Sequence, residues 1–182
     1  MNIKKLALHI SAFSYLFSFM GSSFAATQGL LSDANLASSG EKRFIIFVKS
    51  RVQITGLDNF EHENWVIGDG DIVNDDDLCI YANSAVGYKV LATSTNYGFN
   101  LKTTENQHEL PYQLKWSDGT SEELLSYATT SQPFSNASRT SANCNNGTNS
   151  TLKLTILESD LEVAPSIEEA YTDIVTITIM PS

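Results

Sequence analysis

Polar and apolar residues alternate most regularly over the last dozen residues of the chain. From Ala170 to Ser182, Tyr171, Val175, Ile177 and Ile179 fall on one face, and Thr172, Ile174, Thr176 and Thr178 on the other. That period of two is the signature of a half-buried β-strand. The segment is β-branched and carries one charge, Asp173, near its start. A strand of this kind left as a bare sheet edge is an aggregation hazard. It is therefore expected to pair within its own sheet or to be completed by a strand from elsewhere.

The same pattern recurs upstream. Phe44-Ile45-Ile46-Phe47-Val48 and Val52-Gln53-Ile54-Thr55 are strand material that stops at Gly56. Leu78 to Tyr81 and Tyr88 to Thr93 follow, then Phe99 to Leu101. Tyr112 to Trp116 closes at the turn Ser117-Asp118-Gly119-Thr120, and Leu152 to Ile156 alternates before the terminal strand. Asp58 to Asp77 is acidic, with Trp65-Val66-Ile67 set between turn residues, and Thr129 to Thr151 reads as a long polar loop holding Cys144. Helical turns fit only Glu122 to Tyr127 and Ile167 to Tyr171. Short strands about every ten residues with Gly and Asn punctuation describe an all-β sandwich.

Composition adds compartment and size. Residues 1-25 combine Lys4 and Lys5, an apolar run from Leu6 to Met20, and a small-residue end at Ala25, which reads as a secretory signal peptide. Ser11, Ser14 and Ser18 interrupt the run, and a membrane anchor needs about 20 apolar residues. Cleavage leaves a single-domain length and no expected membrane insertion. The formal net charge of −10 becomes more negative without the two lysines. An acidic chain argues against nucleic acid as a partner, since phosphate backbones need basic patches. Residues 26-43 read as a flexible N-terminal arm, and 44-182 as the folded domain.

Two cysteines in an exported chain, Cys79 and Cys144, favour one disulfide. Closing a loop of about 66 residues is worth roughly 4 kcal/mol in the chain-entropy account. No metal and no cofactor is expected. Asp69-Gly70-Asp71 with Asp75-Asp76-Asp77 invites a calcium reading, but counting from Asp69 puts Val73, Asn74 and Ile80 at loop positions five, six and twelve. A solvated acidic loop is the better reading, with an irregular calcium site still open. His62 and His108 look like exposed loop residues, and no Gly-x-Ser-x-Gly turn exists, so no catalytic residues are assigned. Trp65, Trp116, Tyr81, Tyr88 and Tyr112 suggest either core or a sugar-stacking platform. Sequons at Asn136, Asn146 and Asn149 matter only in a host that glycosylates them.

Several stretches, taken in order, resemble the spore coat protein U domain family. Val48-Lys49-Ser50-Arg51-Val52-Gln53-Ile54-Thr55-Gly56-Leu57 is similar to its opening strand. Cys79-Ile80-Tyr81 with Tyr88-Lys89-Val90 is similar to its first cysteine strand, and Leu110-Pro111-Tyr112-Gln113-Leu114-Lys115-Trp116 to a Pro-Tyr-x-x-x-Trp strand. Cys144, Asn149-Ser150-Thr151-Leu152, Asp160-Leu161 and Ala170 to Ile177 resemble the second cysteine and the closing strands.

That family includes subunits of archaic chaperone–usher pili. The resemblance implies an immunoglobulin-like incomplete β-sandwich lacking its final strand, completed by a donor strand. Its implied partners are a periplasmic chaperone, an outer-membrane usher and other pilus subunits. Val175, Ile177 and Ile179 are then the strand-exchange edge. The arm from Ala26 to Gly40 offers only Leu30, Ala34 and Leu36 as donor side chains, which suits a tip or minor subunit. Function on this reading is structural, within a surface pilus. The alternative is a secreted or tip-located adhesin whose Asp69–Asp77 and Thr129–Thr151 loops recognise a surface or glycan.

Overall fold

The computed structural model describes residues 37–105, 108–166 and 169–182. The signal segment and Leu30, Ala34 and Leu36 lie outside the described residues, as does the start of the Ile167–Tyr171 helical expectation. The chain divides into two units, Met1–Phe47 and Val48–Ser182.

In the first unit the described part has no strand or helix. Lys42 Nζ sits over the Phe44 ring at 4.8 Å from its centroid. Phe44 to Val48, expected as a strand, is not one, and its five apolar side chains are between 53% and 90% exposed. Its aromatic and β-branched residues gave this run strand character, but a strand exists only where a second edge accepts its backbone bonds.

The second unit is antiparallel β. Its strands are β1 (Val52–Thr55), β2 (Ile72–Ala82), β3 (Tyr88–Ser94), β4 (Asn100–Lys102), β5 (Glu109–Pro111), β6 (Gln113–Ser117), β7 (Glu122–Leu124), β8 (Ser150–Ile156) and β9 (Val175–Pro181). One helical turn, α1 (Glu158–Leu161), follows β8, and Glu122–Leu124, expected as helical, pairs with β6 instead. One sheet has the order β1-β2-β8-β6-β7; β3 pairs with β9, and β4 with β5. Inward side chains of both layers share one core: Leu78, Ile80, Leu114, Trp116, Leu152 and Ile156 from the first, Tyr88, Val90, Ala92 and Ile179 from the second. This is an all-β sandwich.

Two expected loops are structural. Asp75, Asp76 and Asp77 lie inside β2, because the strand continues down to Ile72 opposite Ile156. Cross-strand partners make the acidic run tolerable there: Lys153 Nζ lies 3.5 Å from Asp75, and Thr151 donates to Asp77 at 3.2 Å. The start of the polar Thr129–Thr151 segment lines the second edge of β3. The Ser131 N–H donates to the Val90 carbonyl, while Phe134 and Tyr88 exchange both backbone bonds at 2.8 and 2.9 Å. Phe134 is buried and stacks on Tyr88 with centroids 5.7 Å apart.

Two glycines set these paths. A Cβ on Gly87 would stand 2.0 Å from the Phe134 carbonyl oxygen, and one on Gly56 2.7 Å from that of Asp77. Both have positive φ, so only glycine fits without shifting the neighbouring backbone. Gly56 is where the chain leaves the sheet after four residues of β1.

Candidate strand-acceptor edge

β9 forms a full ladder with β3, from Tyr88↔Pro181 to Ser94↔Val175. Among the described residues its other edge pairs with no strand, and β1 likewise pairs with β2 alone. β1 and β9 approach within 8 Å between Cα atoms, yet no ladder joins them. Two unpaired edges therefore border a narrow cleft in the sandwich. Val175 and Ile177 of β9 and Val52 and Ile54 of β1 are half-buried on its floor, and Ile179 is buried. Thr176 and Thr178 point away and are exposed. The cleft is apolar at its base, with backbone donors and acceptors along both rims.

The start of β9 is held by a carboxylate. Asp173 accepts hydrogen bonds from Ser94 Oγ and Tyr112 Oη, each at 2.6 Å, and from Thr95 Oγ1 and the Ile174 N–H at 2.9 and 2.7 Å. Burial alone would raise its pKa, but these four donors hold it below the ordinary carboxylate value. Burial and the neighbouring Asp173 push the Tyr112 hydroxyl far up. The other end of β9 is tied down by the Ser182 N–H to the Gly87 carbonyl at 3.1 Å and by Ser84 Oγ donating to the Ser182 carbonyl at 2.7 Å. β9 is thus clamped at both ends while one edge stays unpaired.

A second carboxylate organises the opposite sheet. Asp118 is fully buried and accepts from the N–H groups of Thr120, Ser121, Ser135 and Asn136 at 2.7 to 3.0 Å, and from the Thr120 and Ser121 hydroxyls. It ties the β6–β7 turn to the segment that covers β3. Burial opposes its charge, yet so many donors hold its pKa well below normal. A polar line beside it runs from Trp116 Nε1 to Tyr88 Oη at 3.2 Å and on to Ser150 Oγ at 2.8 Å. Burial, first, and the Asp118 charge raise the Tyr88 pKa.

These carboxylates give a signed pH dependence. Both Asp118 and Asp173 are depressed from 3.8, so their stabilisation is complete above that unfolded-state value and is lost as pH falls through the folded values. Asp76, raised by burial and by the charges of Asp58 and Asp75, works in the opposite sense. Two strongly bonded carboxylates outweigh one part-exposed group. Urea midpoints are expected to be flat from about pH 7 to pH 5 and to fall steeply below about pH 4. Midpoints that rise on acidification would contradict this.

The remaining candidates are dispersed. Cys79 and Cys144 form a disulfide with Cα atoms 5.8 Å apart, joining β2 to the short turn Cys144–Asn146. Trp116, Tyr88 and Tyr112 are buried, and Trp65 is half-buried with its Nε1–H on the Gly70 carbonyl, so with Tyr81 they present no exposed platform. His62 is exposed, whereas His108 is half-buried beside β5. Among the described residues, no three His, Cys, Asp or Glu side chains converge as a metal-binding group. Asp69 closes a turn through the Val66 N–H, and Asp71 accepts from the Glu158 N–H. Asn149, a sequon residue, spends both amide atoms on the Ile80 backbone. Sequence reasoning missed Asp118, which it placed only as a turn residue, and Val52 and Ile54 as the second rim of the cleft. The sole signal for the latter was their alternation.

A two-layer antiparallel sandwich in which β9 and the neighbouring β1 each leave one edge without a strand partner among the described residues defines the architectural class. Among solved structures it is similar to a chain of a chaperone–tip adhesin complex described as vital for synergistic activation of CFA/I fimbriae biogenesis. The TM-score is 0.53 at 18% identity, and the match covers 72% of this chain and 41% of that one. At that identity the likeness concerns the fold, and this chain spans less than half of its neighbour. No family model matches the chain, and neither does any curated protein.

Proposed function

We propose that the protein is a structural or minor subunit of a surface pilus, assembled by a periplasmic chaperone and an outer-membrane usher through strand donation. The observation that carries this reading is the pair of unpaired edges on β1 and β9 flanking an apolar cleft. A strand inserted between them would satisfy both rims and cover Val52, Ile54, Val175 and Ile177. The edges would spread to about two strand spacings, roughly 9.6 Å. A sandwich neighbour from a fimbrial complex and the resemblance to the spore coat protein U domain point the same way. On this reading the chain is exported through the periplasm to the cell surface, and it has no catalytic role.

Purification of the tagged chain from periplasm tests the proposal. The expected result is recovery in a stoichiometric complex with a chaperone, released on addition of usher and further subunits. A chain recovered free, monomeric and stable would overturn it. An adhesin built on the expected aromatic platform finds no support in the structure, because Trp116, Tyr88 and Tyr112 are core and Trp65 and Tyr81 are half-buried.

A further inference from the structure

We propose that the end of the sandwich where β9 begins is a docking surface for a cationic, amphipathic segment of another protein. The proposal is independent of the strand-accepting cleft, since the loops concerned would stand the same way on a complete sandwich. Topology gathers them. β2 starts at Ile72 opposite Ile156, the last residue of β8, and β3 ends at Ser94 opposite Val175, the first residue of β9. Residues 83–87 join β2 to β3 at the other end. Segments 56–71, 95–99 and 157–174 therefore leave the strands at one end. Five of their large apolar side chains, Val66, Ile67, Tyr97, Val163 and Ile174, are between 60% and 86% exposed. Loop 83–87, opposite, offers Val86.

These side chains are held out by the backbone. The Val66 N–H donates to Asp69 Oδ2 at 3.0 Å and the Asp69 N–H to the Val66 carbonyl at 3.1 Å, which closes a tight turn through Ile67. The Gly68 N–H donates to Glu158 Oε1 at 3.1 Å and the Glu158 N–H to Asp71 Oδ1 at 2.8 Å. The turn is thus fastened to α1, and Val163 follows that helix closely. Tyr97 has a φ of 60°, uncommon for a bulky side chain, in a turn closed by its N–H on the Ser94 carbonyl at 3.3 Å. The Thr95 N–H, donating to the Ile174 carbonyl at 3.0 Å, joins that turn to the start of β9. Exposed apolar groups on a fixed frame mark an interaction surface, and pre-ordered side chains lose little freedom on binding.

Charge identifies the partner. Asp58, Glu61 and Glu63 stand in the first segment and Glu158, Asp160 and Glu162 in the third, and none of the three segments holds a Lys or Arg. A second copy would bring the same sign of charge to this end, and an anionic lipid surface is repelled likewise. Lys or Arg side chains of a partner answer the carboxylates, while apolar side chains interleaved with them cover Val66, Ile67 and Val163. A basic amphipathic segment supplies both at once.

The test titrates purified full-length protein into a labelled synthetic helix with Lys on one face and Leu on the other, read by fluorescence anisotropy at about 150 mM salt. A control peptide keeps every Lys and replaces Leu with Ser. The Leu peptide should bind, and the Ser peptide should bind about tenfold more weakly or not at all. Val66→Ser/Ile67→Ser, which leaves the charge unchanged, should weaken binding of the Leu peptide about tenfold, and Val163→Ser should weaken it in the same direction. Val86→Ser, at the opposite end, should leave it unchanged. Glu61→Gln/Glu63→Gln should reduce the salt dependence of binding. Retention of the Cys79–Cys144 disulfide and a native β circular dichroism spectrum check that each variant folds. No binding, equal binding of the two peptides, or equal effects of the Val66/Ile67 and Val86 substitutions overturns the proposal. Self-association in sedimentation velocity that Val66→Ser/Ile67→Ser abolishes would give the surface to a second copy, and tighter binding to phosphatidylcholine vesicles than to the peptide would give it to lipid; either result also overturns it.

Discussion

A generic alternating Val-Thr strand, fused behind Ser182 through a short Gly-Ser linker, should raise the melting temperature by about 10 °C. The physical ground is the pair of unpaired rims on β1 and β9 and the half-buried Val52, Ile54, Val175 and Ile177 between them. Burying one Val or Ile side chain is worth roughly 1.5–3 kcal/mol. For a domain of this size 1 kcal/mol corresponds to about 2–4 °C, so two or three newly covered side chains reach that shift. Ile177→Asp in the fused chain should remove most of the gain, because its carboxylate would face the apolar base of the cleft. Thr176→Asp should keep most of it, since Thr176 is exposed on the opposite face. Equal effects of the two substitutions, or no response to the fused strand, would mean that the sandwich is already complete.

Asp118→Ala should be the most damaging single change outside the cleft. Four backbone N–H groups and two hydroxyls converge on that carboxylate, and it has no exposure to water. Its removal strands buried donors beside Tyr88 and Trp116, at a cost of about 3–5 kcal/mol. Asp118→Asn should also destabilise, since its amide nitrogen would meet donors where an acceptor is required. Urea unfolding followed by Trp fluorescence reads the loss directly. The loss should be the same with and without the fused strand, because Asp118 acts on the β6–β7 turn and the covering of β3. A loss under about 1 kcal/mol would show that water or a rearranged turn satisfies those donors.

The terminal strand shows how far local pattern reaches. Val175, Ile177 and Ile179 turn inward and Thr176 and Thr178 outward in the fold, because side-chain direction in a strand is a local, period-two property. The same holds for β1, β3, β6 and β8. The disulfide was legible for a different reason, since a chain with two cysteines leaves one pairing.

Partner choice is not local, and there the sequence reading diverges from the structure. Phe44 to Val48 has the pattern of a strand but no edge to join within the described residues. Asp75 to Asp77 has the composition of a loop, yet β8 supplies Lys153 and Thr151 opposite it and draws it into the sheet. Phe134 sits in a Ser/Thr/Asn-rich stretch, and only the vacant edge of β3 makes it a core residue. Glu122 to Leu124 has the residues of a helical turn, but the tight turn on Asp118 returns it antiparallel to β6.

The amino-acid sequence by itself determined the alternating strands, the face each strand buries and the single disulfide, all of which follow from side chains within a few residues or from a count. Only the tertiary structure decided which edges find partners. A backbone edge is satisfied or left bare according to what lies about 4.8 Å to its side, and residues distant in sequence fill that place. That is why the cleft between β1 and β9, bordered by residues more than a hundred positions apart, emerges only once the chain is folded.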